Sequence, residues 1–332
     1  MERSSMLLSK TCVITVSYHG AVDTATCVRS LLASTVPVKI VVVDTTPNDP
    51  ELEAALNFAP DTTILRAAEN LGFGKGNNLG IRWAVQHSGC ELFFFLNNDA
   101  VVEPNSVETL ERAMSIQGEV GIMVPRIAYL DEPEMLWYGG GEVDWRRASA
   151  YTPGIGHSAV AELAMTERDV TFATGCALFV RRSVIRLIGG FDPRYFMYEE
   201  DVELCVRASK NGVRIRYLPA SKILHRVQGS NRKSNESCPG FWTTTNPRLS
   251  FYTFHVIRNR LLTVYLHARG RNLLIVTVFF PLFLIRRAVP FIWGNRLDAV
   301  IAMFKGVVDS WRSIRAKAPV ATEIREDGIA RQ

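Results

Sequence analysis

No C-x-x-C pair occurs in this 332-residue chain, and its six cysteines, Cys12, Cys27, Cys90, Cys176, Cys205 and Cys238, are scattered mostly among apolar runs. They read as reduced thiols acting as small hydrophobes in a cytosolic protein. The first ten residues, MERSSMLLSK, hold no apolar stretch long enough for a secretory signal, which argues against export. Hydrophobic residues make up 47% and charged residues 21%, a globular balance that fits neither disorder nor a polytopic membrane protein. The longest apolar run, Leu273 to Ile285, is 13 residues. It would span roughly 20 Å as a helix, short of the ~30 Å hydrocarbon core, and Pro281 is expected to interrupt it. A transmembrane helix is therefore disfavoured. An in-plane anchor flanked by Arg269, Arg271, Arg286 and Arg287 fits better, with ordinary core helices as the alternative.

Charge is unevenly placed. Residues 250–332 carry 13 Lys/Arg against 5 Asp/Glu, a balance of +8, and the remainder of the chain is −3. The basic residues alternate with long aliphatic and aromatic stretches, which suits an anionic lipid surface better than nucleic acid. The length allows one large α/β domain with an appendage. The expected organisation is a flexible start at 1–10, a catalytic domain at 11–248, a helical membrane-associating region at 249–316 and a flexible tail at 317–332.

Short Val/Ile-rich runs alternate with amphipathic stretches from the start: CVITVSY, a helix over 21–33, KIVVVD, a helix over 50–58, TTILRA, a helix over 75–87 and ELFFFLN. This rhythm predicts an α/β fold with a mostly parallel central sheet and helices on both faces. Residues 125–170, rich in Gly, Pro and charge, read as loops and a hairpin over the site. Glu199 to Lys210 reads as a helix burying Val202, Cys205 and Val206, stopped by Asn211-Gly212. VRIRYLPASKILH reads as a strand, and 251–268, 271–289 and 295–315 as C-terminal amphipathic helices.

Ligands in such sheets bind beyond the carboxyl ends of the strands. Those ends hold Ser17 and Tyr18, then Asp44, then the stretch from Asn70 through Gly72 and Lys75 to Asn78, then Asn97, Asn98 and Asp99. Asp44 could accept a hydrogen bond from a pyrimidine ring or a ribose hydroxyl, or serve as a turn residue. Asp99, placed where a very apolar strand stops, offers one hard oxygen of the kind Mg2+ or Mn2+ takes beside water and phosphate oxygens. The glycines of ENLGFGKGNNLG do not make a dinucleotide fingerprint, because they follow the third strand and no acidic strand end follows about 20 residues on. They read as a tight loop letting Asn70 and Lys75 approach a ligand. Glu200 and Asp201 sit at a helix N-terminus, whose partial positive charge favours the ionised carboxylate that a base must be.

The blocks VITVSY, VVVD, ENLGFGKGNN, FLNNDAVVEP, TGCALFVRRSV, GGFDPRYFMYEEDVELCVR and YLPASKILH occur in that order. Over roughly residues 11–230 the chain resembles the family 2 glycosyltransferases, in their rhamnosyltransferase-like branch. The resemblance implies a nucleotide-diphospho-sugar transferase (GT-A-like) fold and an inverting, metal-dependent sugar transfer. It implies Asp44 at the nucleobase, Asp99 at an Mg2+ or Mn2+ ion, Asp201 of the Glu200-Asp201 pair as base, and His225 as a further metal or diphosphate contact. Ser17, Tyr18, Asn70, Gly72, Lys75, Asn78, Asn97 and Asn98 are the remaining donor-side candidates, while Glu200 or Glu203 could orient Asp201 or the acceptor. Two departures, Thr45-Thr46-Pro47 after Asp44 and Asn98 where Pro is frequent, bear on base and sugar preference.

By resemblance alone the donor is dTDP-rhamnose, with galactofuranose or another hexose open. The expected acceptor is a saccharide or a polyprenyl-linked saccharide in cell-surface polysaccharide synthesis. The other expected partners are an anionic membrane surface, at the cytoplasmic face of the cell membrane, and a second copy of the chain as a homodimer, with no nucleic acid. Two other functions compete. A sugar nucleotidyltransferase should carry a Gly- and Arg-rich loop after the first strand, where this chain reads SYHGAVDTATC. A non-catalytic nucleotide- or membrane-binding member of an assembly complex need not keep both Asp99 and Asp201, and this chain keeps them.

Overall fold

The computed structural model describes residues 9–47, 50–145, 149–227 and 242–315. Cys238, the tail at 317–332 and most of the start at 1–10 lie outside these residues.

The first half follows the expected alternation. Strand β1 (Thr11–Ser17) leads to helix α1 (Ala21–Leu32), β2 (Val38–Asp44), α2 (Glu51–Ala55), β3 (Thr63–Arg66), α3 (Gly72–His87) and β4 (Leu92–Leu96). Strands β1 and β4 are buried almost throughout, as runs covered on both faces must be. After β4 come β5 (Ala100–Val102), α4 (Ser106–Ile116), β6 (Val120–Tyr129), β7 (Leu136–Tyr138), β8 (Glu142–Asp144), β9 (Ser149–Tyr151), α5 (Glu162–Met165) and β10 (Arg168–Asp169). The chain continues through β11 (Ala177–Arg181), α6 (Arg182–Ile188), α7 (Glu200–Lys210), β12 (Arg214–His225), α8 (Leu249–His267), α9 (Gly270–Trp293) and α10 (Leu297–Arg315).

One ten-stranded sheet runs in the order β10-β12-β6-β11-β4-β1-β2-β3, with β5 on β12 and β7 on β6. The pairings β1 with β2, β1 with β4, and β2 with β3 are parallel. Beyond β4 the sheet is mixed, because β11 runs antiparallel between β4 and β6 while β12 pairs parallel with β6. The register Ala177↔Leu96 sets the start of β11 beside the end of β4. The stretch 125–170 is more regular than loops and a hairpin: β6 persists to Tyr129, and β7 and α5 join the β8–β9 hairpin.

Two expectations are corrected. The glycine-rich segment is helical from Gly72 onward, and its glycines serve packing rather than a loop. A Cβ on Gly76 would stand 2.9 Å from Val16 Cγ1, and one on Gly80 2.4 Å from Ile14 Cγ2, so α3 lies directly on β1. Pro281 does not interrupt the C-terminal apolar helix either, since α9 is continuous over 24 residues with Pro281 and Pro290 inside it. Each proline removes one backbone donor, and the remaining ladder carries the helix on. The helix is about 36 Å long, so by length and composition it could cross a bilayer, and the earlier argument from length fails.

The main core fills the space around the large sheet, and a second cluster, with Ile257, Leu261, Val264, Val276, Phe280 and Met303, joins α8, α9 and α10. Leu274, Val278, Leu282, Ile285 and Val289 remain exposed at three- and four-residue spacing along α9. Leu297, Ile301, Phe304, Val308 and Trp311 do the same along α10. Gly80→Ala would normally gain about 0.5–1 kcal/mol inside a helix. Here the added methyl meets Ile14, and a net loss of about 1–3 kcal/mol is expected. A denaturant midpoint that rises or holds in this variant would contradict the packing role.

Candidate active site

The sheet supplies the first wall. Chain direction diverges on either side of β1, with β2 on one flank and β4 on the other, which opens a crevice above their carboxyl ends. Ser17 is buried there, and its Oγ accepts the Thr24 hydroxyl at 3.0 Å. Asn98 Nδ2 donates to the same Thr24 Oγ1 at 3.1 Å. Asp44 is buried at the end of β2, accepting the Thr46 N–H at 2.9 Å and facing Arg66 Nη1 at 3.3 Å. Tyr18 is exposed at the rim.

Asn70, Gly72 and Lys75 gather at the start of α3. Asn70 Oδ1 accepts the Gly72 N–H at 2.9 Å, and Lys75 points into solvent. Gly72 has φ +69°, and a Cβ would stand 2.1 Å from the Phe196 carbonyl oxygen, so only glycine lets α3 meet the segment leading into α7. Asn78 is different from what the sequence suggests. Its amide is buried and bonds both the N–H and the carbonyl of Phe191, at 2.8 and 2.7 Å, which makes it a structural tie.

Asp99 and His225 meet at the end of β4. Asp99 Oδ1 lies 3.0 Å from His225 Nε2, with both side chains nearly buried. Asn97 Nδ2 is 3.4 Å from the same nitrogen, and Trp137 packs edge-on against the imidazole. Burial alone would push His225 down, but Cys176 and Asp99 outweigh it and hold the imidazole well above its ordinary value. Burial also raises the Cys176 thiol, keeping it neutral, so the Asp99 carboxylate is the charge that matters. Nearby, burial pushes Asp23 up, with Asp99 adding to the rise against the opposing pull of Arg226 at 3.0 Å.

These residues fit a divalent cation. Asp99 and His225 already share a 3.0 Å ion pair, and a cation held by them would take the place of the proton on His225 Nε2. An imidazole nitrogen and a carboxylate oxygen suit Mn2+, and Mg2+ would rely more on the carboxylate. Either would leave positions for water and phosphate oxygens.

The second wall is the N-terminus of α7. Asp201 Oδ2 accepts the Gly175 N–H at 2.8 Å, and Oδ1 accepts the Val202 N–H at 2.8 Å. Burial lifts its carboxyl to about 6, against the pull of those two N–H groups. Glu200 is buried more deeply, and burial together with the adjacent Asp201 charge raises it well above the carboxylate range. Its Oε2 has no hydrogen-bond partner among the described residues. Glu200 is therefore neutral where Asp201 is ionised. Glu203 faces away: it bonds Arg207 at 2.7 Å and His267 at 3.0 Å, and despite burial these partners hold it down to about 2. It ties α7 to α8 rather than orienting Asp201.

One short segment joins the two walls. Gly175 donates to Asp201, while the carbonyl of the next residue, Cys176, accepts the Asn97 N–H at 2.8 Å. A Cβ on Gly175 would stand 2.9 Å from the Phe73 ring and 3.4 Å from Asp201 Cβ, so the approach needs glycine. Gly175, Asp23, Thr24, Trp137 and Arg226 carry no signal of their own in the sequence, since contacts with residues far along the chain bring them to the site.

The backbone entering α7 is strained, with Tyr198 at φ 68° and Glu199 at φ 67°, both in the left-handed region. Helix α8 holds it there. Asn259, fully buried, donates from Nδ2 to the carbonyls of Met197 and Tyr198 at 2.9 and 2.8 Å. On either side, Arg258 donates to the Arg194 carbonyl at 3.0 Å and Arg260 bonds Glu199 at 3.1 Å.

The model of the family described as Glycosyl transferase family 2 matches residues 12–189. The N-acetylglucosaminyl-diphospho-decaprenol L-rhamnosyltransferase of Mycobacterium tuberculosis is 30% identical over 241 residues, covering 68% of this chain and 78% of that protein. The rhamnosyltransferase WbbL of Escherichia coli is 43% identical over 172 residues, covering 48% of this chain and 63% of that protein. Among solved structures, the mannosyltransferase PcManGT from Pyrobaculum calidifontis, in complex with GDP-Man and Mn2+, superposes with TM-score 0.52 at 13% identity, covering 96% of this chain and 79% of that one. GalNAc-T7 with UDP, GalNAc and Mn2+ gives TM-score 0.55 at 16% identity, covering 79% of this chain and 48% of that one.

The matched family span ends before α7 and α8, so the hold of α8 on the Tyr198–Glu199 turn is a feature of the chain beyond it. Asn259→Ala leaves two carbonyls short of a partner, and a loss of about 1–3 kcal/mol is expected. Hydrogen exchange at the amides of 198–201 should speed up more than exchange in β1 or β4. Unchanged protection there would remove Asn259 from this role.

Proposed function

Taking as premise that the chain belongs to glycosyl transferase family 2, as a rhamnosyltransferase-like glycosyltransferase with a GT-A fold, we propose that it moves one sugar by inversion from a nucleotide-diphosphate donor to a lipid-linked saccharide. The donor put forward is dTDP-L-rhamnose, because the two relatives described above carry rhamnosyltransferase names. A polyprenyl-linked acceptor is put forward from the decaprenol-linked name of the mycobacterial relative.

The observation that carries this reading is the Gly175–Cys176 link: Gly175 bonds Asp201, and Cys176 bonds Asn97, two residues before the Asp99 that pairs with His225. Asp44 and Arg66 would bound the nucleobase and ribose, while Ser17, Asn97 and Asn98 line the crevice where the diphosphate lies. Asp99 and His225 would hold an Mn2+ or Mg2+ ion, whose chemistry is to neutralise the charge developing on the leaving diphosphate. Asp201 takes the proton of the acceptor hydroxyl as its oxygen bonds the anomeric carbon and the bond from that carbon to the donor phosphate breaks. Glu200 keeps its proton and limits the negative charge beside Asp201. The exposed apolar stripes on α9 and α10, on a basic C-terminal region, would lie in the cytoplasmic face of a membrane. Co-sedimentation with phosphatidylglycerol vesicles, lost in Leu282→Glu, is the check on that placement.

A transfer assay with dTDP-rhamnose and a lipid-linked acceptor tests the chemistry. Asp201→Asn should lower kcat by about 10²–10⁴-fold with donor affinity nearly unchanged. In the unaltered enzyme kcat/KM should fall as pH drops below about 6, since Asp201 is then protonated and cannot take a proton. Comparable turnover in Asp201→Asn would remove the base from its role. Asp99→Ala should weaken donor binding by at least about tenfold with Mn2+ present, and by much less in a chelator. Equal donor affinity measured calorimetrically in both proteins would defeat the cation site. Slow release of nucleotide diphosphate without acceptor distinguishes an enzyme from a non-catalytic binding member.

A further inference from the structure

Two arginines, Arg287 and the Arg260 that holds Glu199, stand over one aromatic ring with a single carboxylate between them. Arg287, on α9, is half-buried, with its guanidinium carbon 4.4 Å from the Trp242 ring centroid and 5.7 Å from that of Phe283. The Arg260 guanidinium lies 5.9 Å from the same Phe283 ring. Arg260 has one carboxylate, Glu199, whereas no carboxylate among the described residues pairs with Arg287. Burial, followed by the Arg260 charge, pulls Arg287 below its ordinary value. Like charges held together by aromatic stacking, partly out of water, are destabilising alone and favourable once an anion lies between them.

Position narrows the anion. Arg260 bonds Glu199, two residues before Asp201. Arg287 shares its helix with the exposed stripe that includes Leu282, Ile285 and Val289. A ligand on both arginines therefore has a reacting end toward Asp201 and an apolar end along the outer faces of α9 and α10.

We propose that Arg260 and Arg287 form a binding site for the phosphate or diphosphate of an apolar-chain acceptor, whose chain runs along the α9 and α10 stripes. This rests on the sugar-transfer reading, of which it specifies the acceptor side. Planar guanidinium groups offer paired N–H donors to phosphate oxygens, and stacking on Trp242 fixes one fork in advance.

The test titrates the full chain, its donor site filled with dTDP and Mg2+, with geranyl diphosphate, followed by calorimetry and by tryptophan emission, to which Trp242 is one of six contributors. Saturable binding is expected, weakened at least about tenfold in Arg287→Gln and less in Arg287→Lys. Lys305→Gln, which removes an equal charge from the surface of α10, should change it by less than about twofold. Thermal melting checks the fold of each variant, and Arg287→Lys carries the test if Arg287→Gln does not fold. Equal affinity in the Arg287 variants overturns the proposal, as does an equal loss in Lys305→Gln, which would mean diffuse attraction. Inorganic pyrophosphate binding as tightly as geranyl diphosphate overturns the apolar-chain part. Loss confined to phosphatidylglycerol vesicles would assign the arginines to bilayer headgroups and overturn the acceptor site. Nucleotide diphosphate release by the unaltered chain tests the sugar-transfer reading separately, so the two can fail independently.

Discussion

The Gly175 N–H bond to Asp201 ties the start of α7 to the segment that enters β11, and the rest of the site is arranged around that tie. It exists because β11 runs antiparallel to β4, so the chain entering β11 passes the end of β4 where Asn97 and Asp99 emerge. Had β11 continued the parallel order, its first residues would lie at the opposite edge of the sheet. The mixed half of the sheet thus brings the start of α7 to the crevice of the parallel half. The absence of a side chain at residue 175 lets a carboxylate approach the backbone at that point.

Charge placement follows from the same closeness. Asp201 is buried enough to be raised and bonded enough to stay ionisable near neutral pH, whereas Glu200, with an unmet oxygen, takes the larger rise. Two adjacent carboxyls at one helix terminus therefore differ in protonation without any special chemistry, since burial and hydrogen bonding divide them. Glu203, one helical turn from Glu199, meets Arg207 and His267 and remains ionised. Of these three neighbouring acids one keeps its proton and two are ionised, and of the ionised two only Asp201 faces the segment that links to Asp99.

Much of this was readable in advance. Unbroken Val/Ile/Phe runs revealed the buried parallel strands, and the polar residues at their ends marked the crevice. Asp99 and Asp201 stood out because one follows an apolar strand and the other begins a helix. The α3 glycines misled because local propensity disfavours them in a helix, while close contact with Val16 and Ile14 demands them. Pro281 misled for a related reason, as a penalty of one hydrogen bond did not end a long apolar helix. Asn78 and Asn259 could not be understood locally, because their partners, Phe191 and the Met197–Tyr198 carbonyls, lie 113 and about 60 positions away.

The C-terminal helices connect these observations. Helix α8 holds a turn in a backbone conformation that its residues would not adopt alone, and the same helix shares an apolar cluster with α9 and α10. Any force that seats the α9 and α10 stripes therefore bears on α8, and through Asn259 and Arg260 on the residues immediately before Asp201. A membrane under those stripes would stabilise the helices in the arrangement that keeps the strained turn in place. On the proposed reading, recognition of a lipid-borne acceptor and orientation of the base would both depend on one packed unit, the three described helices that follow the sheet.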